Sequence, residues 1–320
     1  MLREANFSNL SVVTVLRRYS YFIFFFSLGI LAYSFESFAQ NQSERQKLLT
    51  VWAGMLPIIL SAPHGGRRSI PGVPVRRGAG VTQFATGRDN NTDELAETIA
   101  IGLEKRLNAK PFLVVARVER KYFDANRPTE SAYESREAKP YYDGYHNALQ
   151  EAHDRVSREW GRGLLLDIHG QGAQAEAIYR GTGNGKTVVS LTQRFGTEAI
   201  IGPKSIFNQL ELMGYKVLPS TTESHQEQRY VGGYIVQTYG SHRQCGIDAI
   251  QLEIGTKLRT RANLERTATD LAEAIAVFAQ EYLPLVKSYI AIEATNLPKI
   301  LAAIGFSSQN PPLSYFYLTF

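Results

Sequence analysis

Apolar and polar positions follow two different patterns along this chain. Short apolar runs bounded by turn residues predict buried strands at 56–60, 112–118, 216–218 and 247–254, and a further strand that begins at Leu164. Longer stretches in which apolar residues recur every three or four positions predict helices from Thr92 onward and over 142–160, 206–213 and 261–283. Strands and helices therefore follow one another through most of the sequence.

This alternation is typical of an α/β protein with a largely parallel sheet. At 320 residues, with 44% hydrophobic and 20% charged residues, the chain can build one substantial core. We expect a single α/β domain over 47–284, and residues 285–320 form a C-terminal extension for which the sequence predicts no clear structure.

Residues 1–39 have the pattern of a signal peptide. Arg17 and Arg18 precede an apolar stretch over 21–33, and Ser37-Phe38-Ala39 offers a small-x-small cleavage site. A helix over that stretch would be about 20 Å long, short of the roughly 30 Å hydrocarbon core, so a permanent membrane anchor is the weaker alternative. We expect an exported protein, periplasmic or extracellular, in which a polar linker over 40–46 leads into the domain and no stable membrane span remains.

The charge of the chain bears on its binding partners, and its cysteine content bears on its stability. The net charge of +5 is modest for this length, and no long basic run with interleaved aromatic residues indicates nucleic-acid binding. The arginines between 67 and 88 are explained by a solvated loop or by attraction of an anionic substrate. Because Cys245 is the only cysteine, stability must come from the core or from a metal rather than from an internal disulfide.

Candidate chemistry lies where the predicted strands end. In the strand that begins at Leu164, Asp167 and His169 point to the same face because side chains alternate along a strand. His64 follows another strand and precedes two glycines, and Glu253 lies late in an apolar strand, where an unpaired charge would be costly. Ligands bind outside the carboxyl ends of parallel strands, so these segments are expected to meet in one crevice.

The residue types at these strand ends fit metal-dependent amide hydrolysis. Two histidines and a carboxylate form a three-ligand site that leaves a position for water, as in catalytic zinc sites, and Glu253 is the best candidate for the general base. Arg120 is placed to face the oxyanion, and Asn126 and Arg127 to hold a substrate carboxylate. The segment GTGNGK at 181–186 lacks the spacing of a phosphate-binding loop and is interpreted as a turn.

Five ordered motifs resemble the N-formylglutamate amidohydrolase family. They are SAPHGG, the pair Asp89 and Asp93 before Leu95, RKYFDANRP, LLDIHG, and GGYIVQTYG with QLEIG downstream, and they span about 56–259. The resemblance implies a fold related to the zinc carboxypeptidases, a three-layer α/β/α sandwich around a mixed, largely parallel sheet.

The resemblance also implies roles for individual residues. His64, Asp89 and His169 match the metal ligands for one Zn²⁺, or another divalent ion, with Asp93 as the alternative ligand. Arg120 matches the oxyanion-side arginine, Asn126 and Arg127 the pair that binds the substrate carboxylate, and Glu253 the base, while Gly233 and Tyr234 of GGYIVQTYG are expected to contact substrate.

Two features depart from the family pattern. Gly170 follows the second histidine where the family more often has serine. The export signal also disagrees with an intracellular role in histidine breakdown, so we expect a different substrate: an N-acyl amino acid or a peptide with a free carboxylate. The alternatives are a carboxypeptidase-like peptidase acting on cell-wall or poly-glutamyl peptides, a non-catalytic exported binding protein, and a cell-surface interaction protein with an inert fold.

Overall fold

The computed structural model describes residues 48–79, 81, 83–222, 226–244 and 246–287. The predicted signal peptide, the linker, Cys245 and most of the C-terminal extension lie outside these residues. The strands are β1 (Leu49–Trp52), β2 (Ile58–Ala62), β3 (Phe112–Ala116), β4 (Leu164–Gln171), β5 (Ala177–Gly181), β6 (Lys216–Leu218) and β7 (Asp248–Gly255). The helices are α1 (Thr92–Leu107), α2 (Thr129–Ala132), α3 (Lys139–Trp160), α4 (Val189–Phe195), α5 (Glu198–Ile201), α6 (Ile206–Leu212), α7 (Tyr234–Tyr239) and α8 (Leu264–Tyr282).

The strands form one seven-stranded sheet in the order β1-β3-β2-β4-β7-β5-β6. The pairs β3–β2, β2–β4, β4–β7 and β5–β6 are parallel, whereas β1 runs antiparallel to β3 and β5 antiparallel to β7. The predicted α/β fold with a mixed, largely parallel sheet is therefore confirmed. The carboxyl ends of β2, β4 and β7 lie side by side at the centre of the sheet.

Each face of the sheet packs against its own helices, which gives the three layers. Leu164, Leu166 and Ile168 of β4 join the core that α1 and α8 cover. Leu165 of β4 lies on the other face, in the core that α3 and α7 complete. Strand side chains alternate between these faces, so Asp167 and His169 lie on the α3 and α7 face.

The predicted helical stripes are buried as expected. Leu95, Ile99 and Leu103 of α1 are fully buried, and the apolar stripe of α8 packs against α1. The helix from Thr92 begins there, but its N-cap is Asn91, and the hydroxyl of Thr92 donates to the carbonyl of Asp89. No helix among the described residues is both long and apolar enough to cross a membrane.

The sequence pattern did not predict the short strands β1 and β5 or the short helices α2, α4, α5 and α7. β1 and β5 have only four and five residues and no strict alternation, and they lie beside longer strands that supply their pairing. α7 follows two glycines in the motif GGYIVQTYG, which predicted irregular chain. These elements matter for function because β5 and α7 both border the site described next.

Candidate metal centre

His64 and His169 meet at the carboxyl ends of β2 and β4. Their ring centroids are 4.8 Å apart, and both rings direct Nδ1 toward one carboxylate oxygen. Nδ1 of His64 lies 3.4 Å and Nδ1 of His169 lies 3.3 Å from Oδ2 of Asp89. The three predicted ligands offer atoms that all lie within 4.8 Å of one another. The arrangement is compatible with one metal ion held by two nitrogens and an oxygen.

A carboxylate fixes the far nitrogen of each histidine. Nε2 of His64 lies 2.7 Å from Oδ1 of Asp124, and Nε2 of His169 lies 2.7 Å from Oδ2 of Asp167. A carboxylate on the outer nitrogen fixes the tautomer and the ring orientation of a metal-binding histidine. Asp167 and His169 thus share one face as the alternation in β4 predicted.

Asp89, rather than Asp93, belongs to this cluster. Its backbone amide donates to the carbonyl of His64 over 3.1 Å, and its Oδ2 accepts from the amide of Gly170 over 3.0 Å. Asp93 lies one turn into α1, where Oδ2 accepts from Arg117 over 3.3 Å. Both carboxylates lie near the amino end of α1, but only Asp89 reaches the histidines.

The donor atoms of this cluster are suited to hold a cation. Nδ1 of His64 is buried and makes no well-aligned hydrogen bond, since its contact with Oδ2 of Asp89 is 3.4 Å long, although buried polar atoms are normally paired. A metal ion in front of Nδ1 would satisfy it. The donor set of two imidazoles and one carboxylate is the kind that binds Zn²⁺ and neighbouring divalent ions.

The electrostatics agree with this interpretation. Burial by itself raises the pKa of Asp89, but its contacts with His169 and His64 outweigh burial and hold the pKa well below its ordinary value. Burial lowers the pKa of His169, yet Asp167 and Asp89 together raise it well above its ordinary value. The carboxylates therefore favour positive charge at this point, which a divalent cation supplies.

Glu253 lies beside the cluster on β7. It is the direct neighbour of His169 in the parallel β4–β7 pairing, so both side chains lie on the same face. Burial raises the pKa of Glu253, and the charge of His169 opposes that rise. Gln251, two residues earlier, donates from Nε2 to Oε1 of Glu253 over 2.8 Å. A buried carboxylate with a raised pKa and a fixed orientation is suited to accept a proton.

A row of buried polar side chains forms hydrogen bonds with the residues of the site. The hydroxyl of Ser61 donates to Oδ1 of Asp167 over 2.6 Å, while the other oxygen of Asp167 holds His169. Gln251 accepts from the amide of Gly233 over 2.7 Å. Ser61, Asp167 and Gln251 are neighbours across β2, β4 and β7, so the register of the sheet itself places the row.

Arg120 forms an ion pair with Asp124, the carboxylate that contacts His64. Its Nε and Nη2 lie 2.8 and 2.7 Å from Oδ2 of Asp124, whose other oxygen meets His64. Burial raises the pKa of Asp124, but the charges of His64, Arg120 and Arg127 outweigh it and lower the pKa far below its ordinary value. The structure thus shows Arg120 as a residue that positions Asp124, and its role toward an oxyanion stays a prediction.

Asn126 connects the histidine to the start of α7. Its Nδ2 lies 3.2 Å from Nε2 of His169, and its Oδ1 accepts from the amide of Ile235 over 2.9 Å. A Cβ at Gly233 would lie 2.6 Å from Oδ1 of Asn126, so glycine is needed for this close approach. The amide of Asn126 is thus occupied within the protein, and its contact with a substrate carboxylate stays a prediction.

Arg127 and Tyr234 lie at the edge of the same region. Arg127 donates to the carbonyl of Asn126 over 2.8 Å and to that of Gln83 over 3.2 Å. The ring of Tyr234 packs edge-on against His146 of α3, with centroids 5.7 Å apart. His146 was not predicted to belong to the site, and it is a packing residue whose Nε2 also bonds the carbonyl of Ala125.

Asp124, Gln251 and Arg259 were not among the predicted site residues. Asp124 was visible in the motif RKYFDANRP, but its contact with His64 depends on tertiary folding. Arg259 is buried beneath Gly170, and a Cβ at Gly170 would lie 2.6 Å from Nη2 and 2.7 Å from Nε of Arg259. The guanidinium therefore fills the space that a serine at this position would need.

Comparison with known proteins supports the predicted resemblance. Residues 132–259 match the family model of the N-formylglutamate amidohydrolases, which confirms it. The matched segment contains His169, Gly233, Tyr234 and Glu253, while His64 and Asp89 precede it. No curated protein sequence matches the chain significantly.

One solved structure agrees with the fold, and two others have lower similarity. N-formylglutamate amidohydrolase from Ralstonia eutropha JMP134 is similar over 73% of this chain and 98% of its own, with a TM-score of 0.50 and 19% identity. Metallo-carboxypeptidase from Pseudomonas aeruginosa covers 70% of this chain and 57% of its own at 13% identity, with a TM-score of 0.37. N-acetylmuramoyl-L-alanine amidase from Clostridium difficile 630 covers 70% and 95% at 15% identity, with a TM-score of 0.31.

Proposed function

We propose that this protein is an exported, zinc-dependent amidohydrolase that cleaves the amide bond of an N-acyl amino acid or peptide with a free carboxylate. The family match over 132–259 supports hydrolysis of amide bonds. The metal, the substrate and the export are inferred from the side chains and from the sequence.

The observation that carries the proposal is the meeting of His64, Asp89 and His169 beside Glu253. The three ligands come from separate parts of the chain, yet their ligand atoms lie within 4.8 Å of one another. Nδ1 of His64 is buried without a well-aligned hydrogen bond, and each histidine is held from behind by a carboxylate. Such a set is costly to bury unless a cation completes it.

His64, Asp89 and His169 would hold the ion, which when bound supplies an acidified water and polarises the scissile carbonyl. Glu253 takes the proton from the attacking water and passes it to the leaving amine, a task that its raised pKa suits. Asp124 and Asp167 keep the imidazoles in position, so their negative charge also strengthens the nitrogen ligands.

The substrate is held by cationic and polar groups near the same edge of the sheet. Arg127 is proposed to bind the carboxylate by its planar fork, and Asn126 to fix the backbone on which Arg127 and α7 depend. Arg120 is proposed to stabilise negative charge on the carbonyl oxygen.

Glu253→Gln tests the mechanism. Because the amide cannot accept the proton, we expect kcat for an N-acyl amino acid to fall by about 100- to 10,000-fold while the metal content stays at the wild-type level. Glu176→Gln is the matched control, since Glu176 pairs with Lys257 at the surface and should turn over normally. Loss of metal from Glu253→Gln would assign Glu253 to the ligand set and overturn this role.

Export is proposed from the sequence of residues 1–39. Expression with the native amino terminus, followed by cell fractionation and amino-terminal sequencing, should give a protein outside the cytoplasm that begins at Gln40. A cytoplasmic protein that retains Met1 would contradict it.

A further inference from the structure

A cavity of about 600 Å³ lies at the edge of the sheet that β5 and β6 form. Its walls come from Tyr179 and Arg180 of β5, from the end of β6, and from the segment 226–230. Cavities of about 300 to 1,000 Å³ accommodate ligands of drug size, so this space far exceeds what a formyl group needs.

Tyr179 connects this cavity to the proposed base. In the antiparallel β5–β7 pair Tyr179 is the direct neighbour of Glu253, which is itself the neighbour of His169. Directly opposed residues point to the same face, with Cβ atoms roughly 4.5 to 5.5 Å apart. A substrate whose carbonyl lies at Glu253 would therefore extend past Tyr179 into the cavity.

The walls offer aromatic surface together with carboxamides. The rings of Tyr179 and Tyr230 lie edge to face, with centroids 4.9 Å apart. Gln174, Gln226 and Gln228 also line the space. A carboxamide both donates and accepts hydrogen bonds, as each peptide unit does, and the tyrosine rings offer apolar surface to a side chain or Cα.

The carboxylate of Glu227 is withdrawn from the cavity into the turn over 181–186. It accepts from the amides of Thr182 and Asn184 over 2.8 and 2.9 Å, and Arg180 donates to it from Nε over 3.1 Å. These bonds fix the start of the segment that carries Gln228 and Tyr230. The wall is therefore preformed, which lowers the entropy cost of binding a ligand against it.

We propose that this cavity is an acyl-side subsite for a peptidyl group, so that the preferred substrate is a peptidyl amino acid rather than a formylated one. The proposal rests on the proposed amidohydrolase function. The part of the substrate before the scissile amide lies along Tyr179 and Tyr230, and its peptide groups bond to the carboxamides.

The test compares substrates that share a carboxyl-terminal glutamate and differ only in the acyl group. The acyl group is lengthened from formyl to acetyl to acetyl-alanyl to acetyl-alanyl-alanyl, and kcat/KM is measured with the Zn²⁺-loaded protein. We expect kcat/KM to rise by about tenfold between the acetyl and acetyl-alanyl substrates, the size of a gained aromatic contact. Equal or falling kcat/KM along the series would overturn the subsite while leaving hydrolysis of the short substrates as support for the proposed function.

Tyr230→Ala and Gln228→Ala locate the effect. Both should lower kcat/KM for the acetyl-alanyl substrate by about tenfold and change that for the formyl substrate by less than about twofold, since the formyl group does not reach the cavity. Tyr141→Ala and Gln150→Ala on α3 are matched controls away from the cavity and should leave every substrate unchanged. An equal loss for all substrates would overturn the assignment.

Binding without turnover keeps the two proposals separable. Acetyl-alanyl-alanine amide, which carries the acyl portion but lacks the free carboxylate of the proposed substrate, is titrated into wild-type protein and Tyr230→Ala by calorimetry. Binding that Tyr230→Ala weakens by about tenfold supports the subsite even if no substrate is hydrolysed, a result that would refute the proposed function alone. Equal binding by wild type and Tyr230→Ala, or no binding by either, overturns the subsite.

Discussion

Oδ1 of Asp124 lies 2.7 Å from Nε2 of His64, and both side chains are almost completely buried. Arg120 holds the other oxygen of Asp124, so a chain of charge-assisted hydrogen bonds runs from Arg120 to the imidazole. His64 follows a strand end and two glycines lie next to it, so its ring orientation depends on this partner rather than on its own backbone.

Asp124→Asn should weaken metal binding. The amide keeps the shape of the side chain but removes the charge that orients His64, and such changes cost about 10- to 100-fold in metal affinity or activity. Competition between the protein and a chelator of known affinity measures the effect. Asp143→Asn is the matched control, since Asp143 pairs with Lys139 at the surface. Unchanged affinity in Asp124→Asn would show that His64 does not depend on Asp124.

Removal of the metal should destabilise the protein. A ligand that binds only the native state stabilises it by about 2.7 kcal/mol at a concentration of 100 Kd. For a domain of this size that corresponds to a fall in Tm of about 5 to 10 °C on chelation. Thermal unfolding before and after dialysis against a chelator, with elemental analysis, checks this. Re-addition of Zn²⁺ should restore both Tm and amide hydrolysis, and a Tm that never changes would argue against a bound ion.

Gly170→Ser should destabilise the fold. A Cβ there would overlap the guanidinium of Arg259, which is buried and donates from Nε to the carbonyl of Ile254 over 2.9 Å. Overpacking of this kind typically costs about 1 to 3 kcal/mol of unfolding free energy. Gly172→Ser is the control, because its nearest neighbour would be Cγ2 of Thr256 at 3.9 Å.

Denaturant unfolding of the two serine variants measures that difference. Arg259→Ala combined with Gly170→Ser should recover part of the loss, because the side chain that causes the overlap is gone, and a double-mutant cycle gives the coupling. Equal stabilities of the two single variants would show that Arg259 moves away without cost.

Much of the fold follows from local pattern. Leu164, Leu166 and Ile168 form an apolar run that predicts a buried strand, and Leu95, Ile99 and Leu103 form a stripe that predicts α1. β5 was not predicted because Ala177–Gly181 has neither a long apolar run nor a clear period. Its strand state comes from pairing with β6 and β7, which no local signal contains.

The site residues that lie at or directly after the end of a strand could be predicted from the sequence. His64, His169 and Glu253 each lie at the end of an apolar run, whereas Asp89 was identified only through the family resemblance, since a long irregular loop separates it from His64. The partners Asp124 and Gln251 were not predicted. Their hydrogen bonds join positions far apart in the chain, so they depend on tertiary folding rather than on sequence spacing.

The turn over 181–186 binds the buried carboxylate of Glu227 through the backbone amides of Thr182 and Asn184. Glu227→Gln turns one acceptor oxygen into a donor that faces these amides and weakens the ion pair with Arg180. Hydrogen bonds to a charged group contribute about 1.5 to 3 kcal/mol each, so we expect the free energy of unfolding to fall by about 2 kcal/mol or more. Denaturant unfolding measures this, with Glu176→Gln expected to match the wild type because its ion pair is exposed. Wild-type stability in Glu227→Gln would show that the turn forms without the carboxylate.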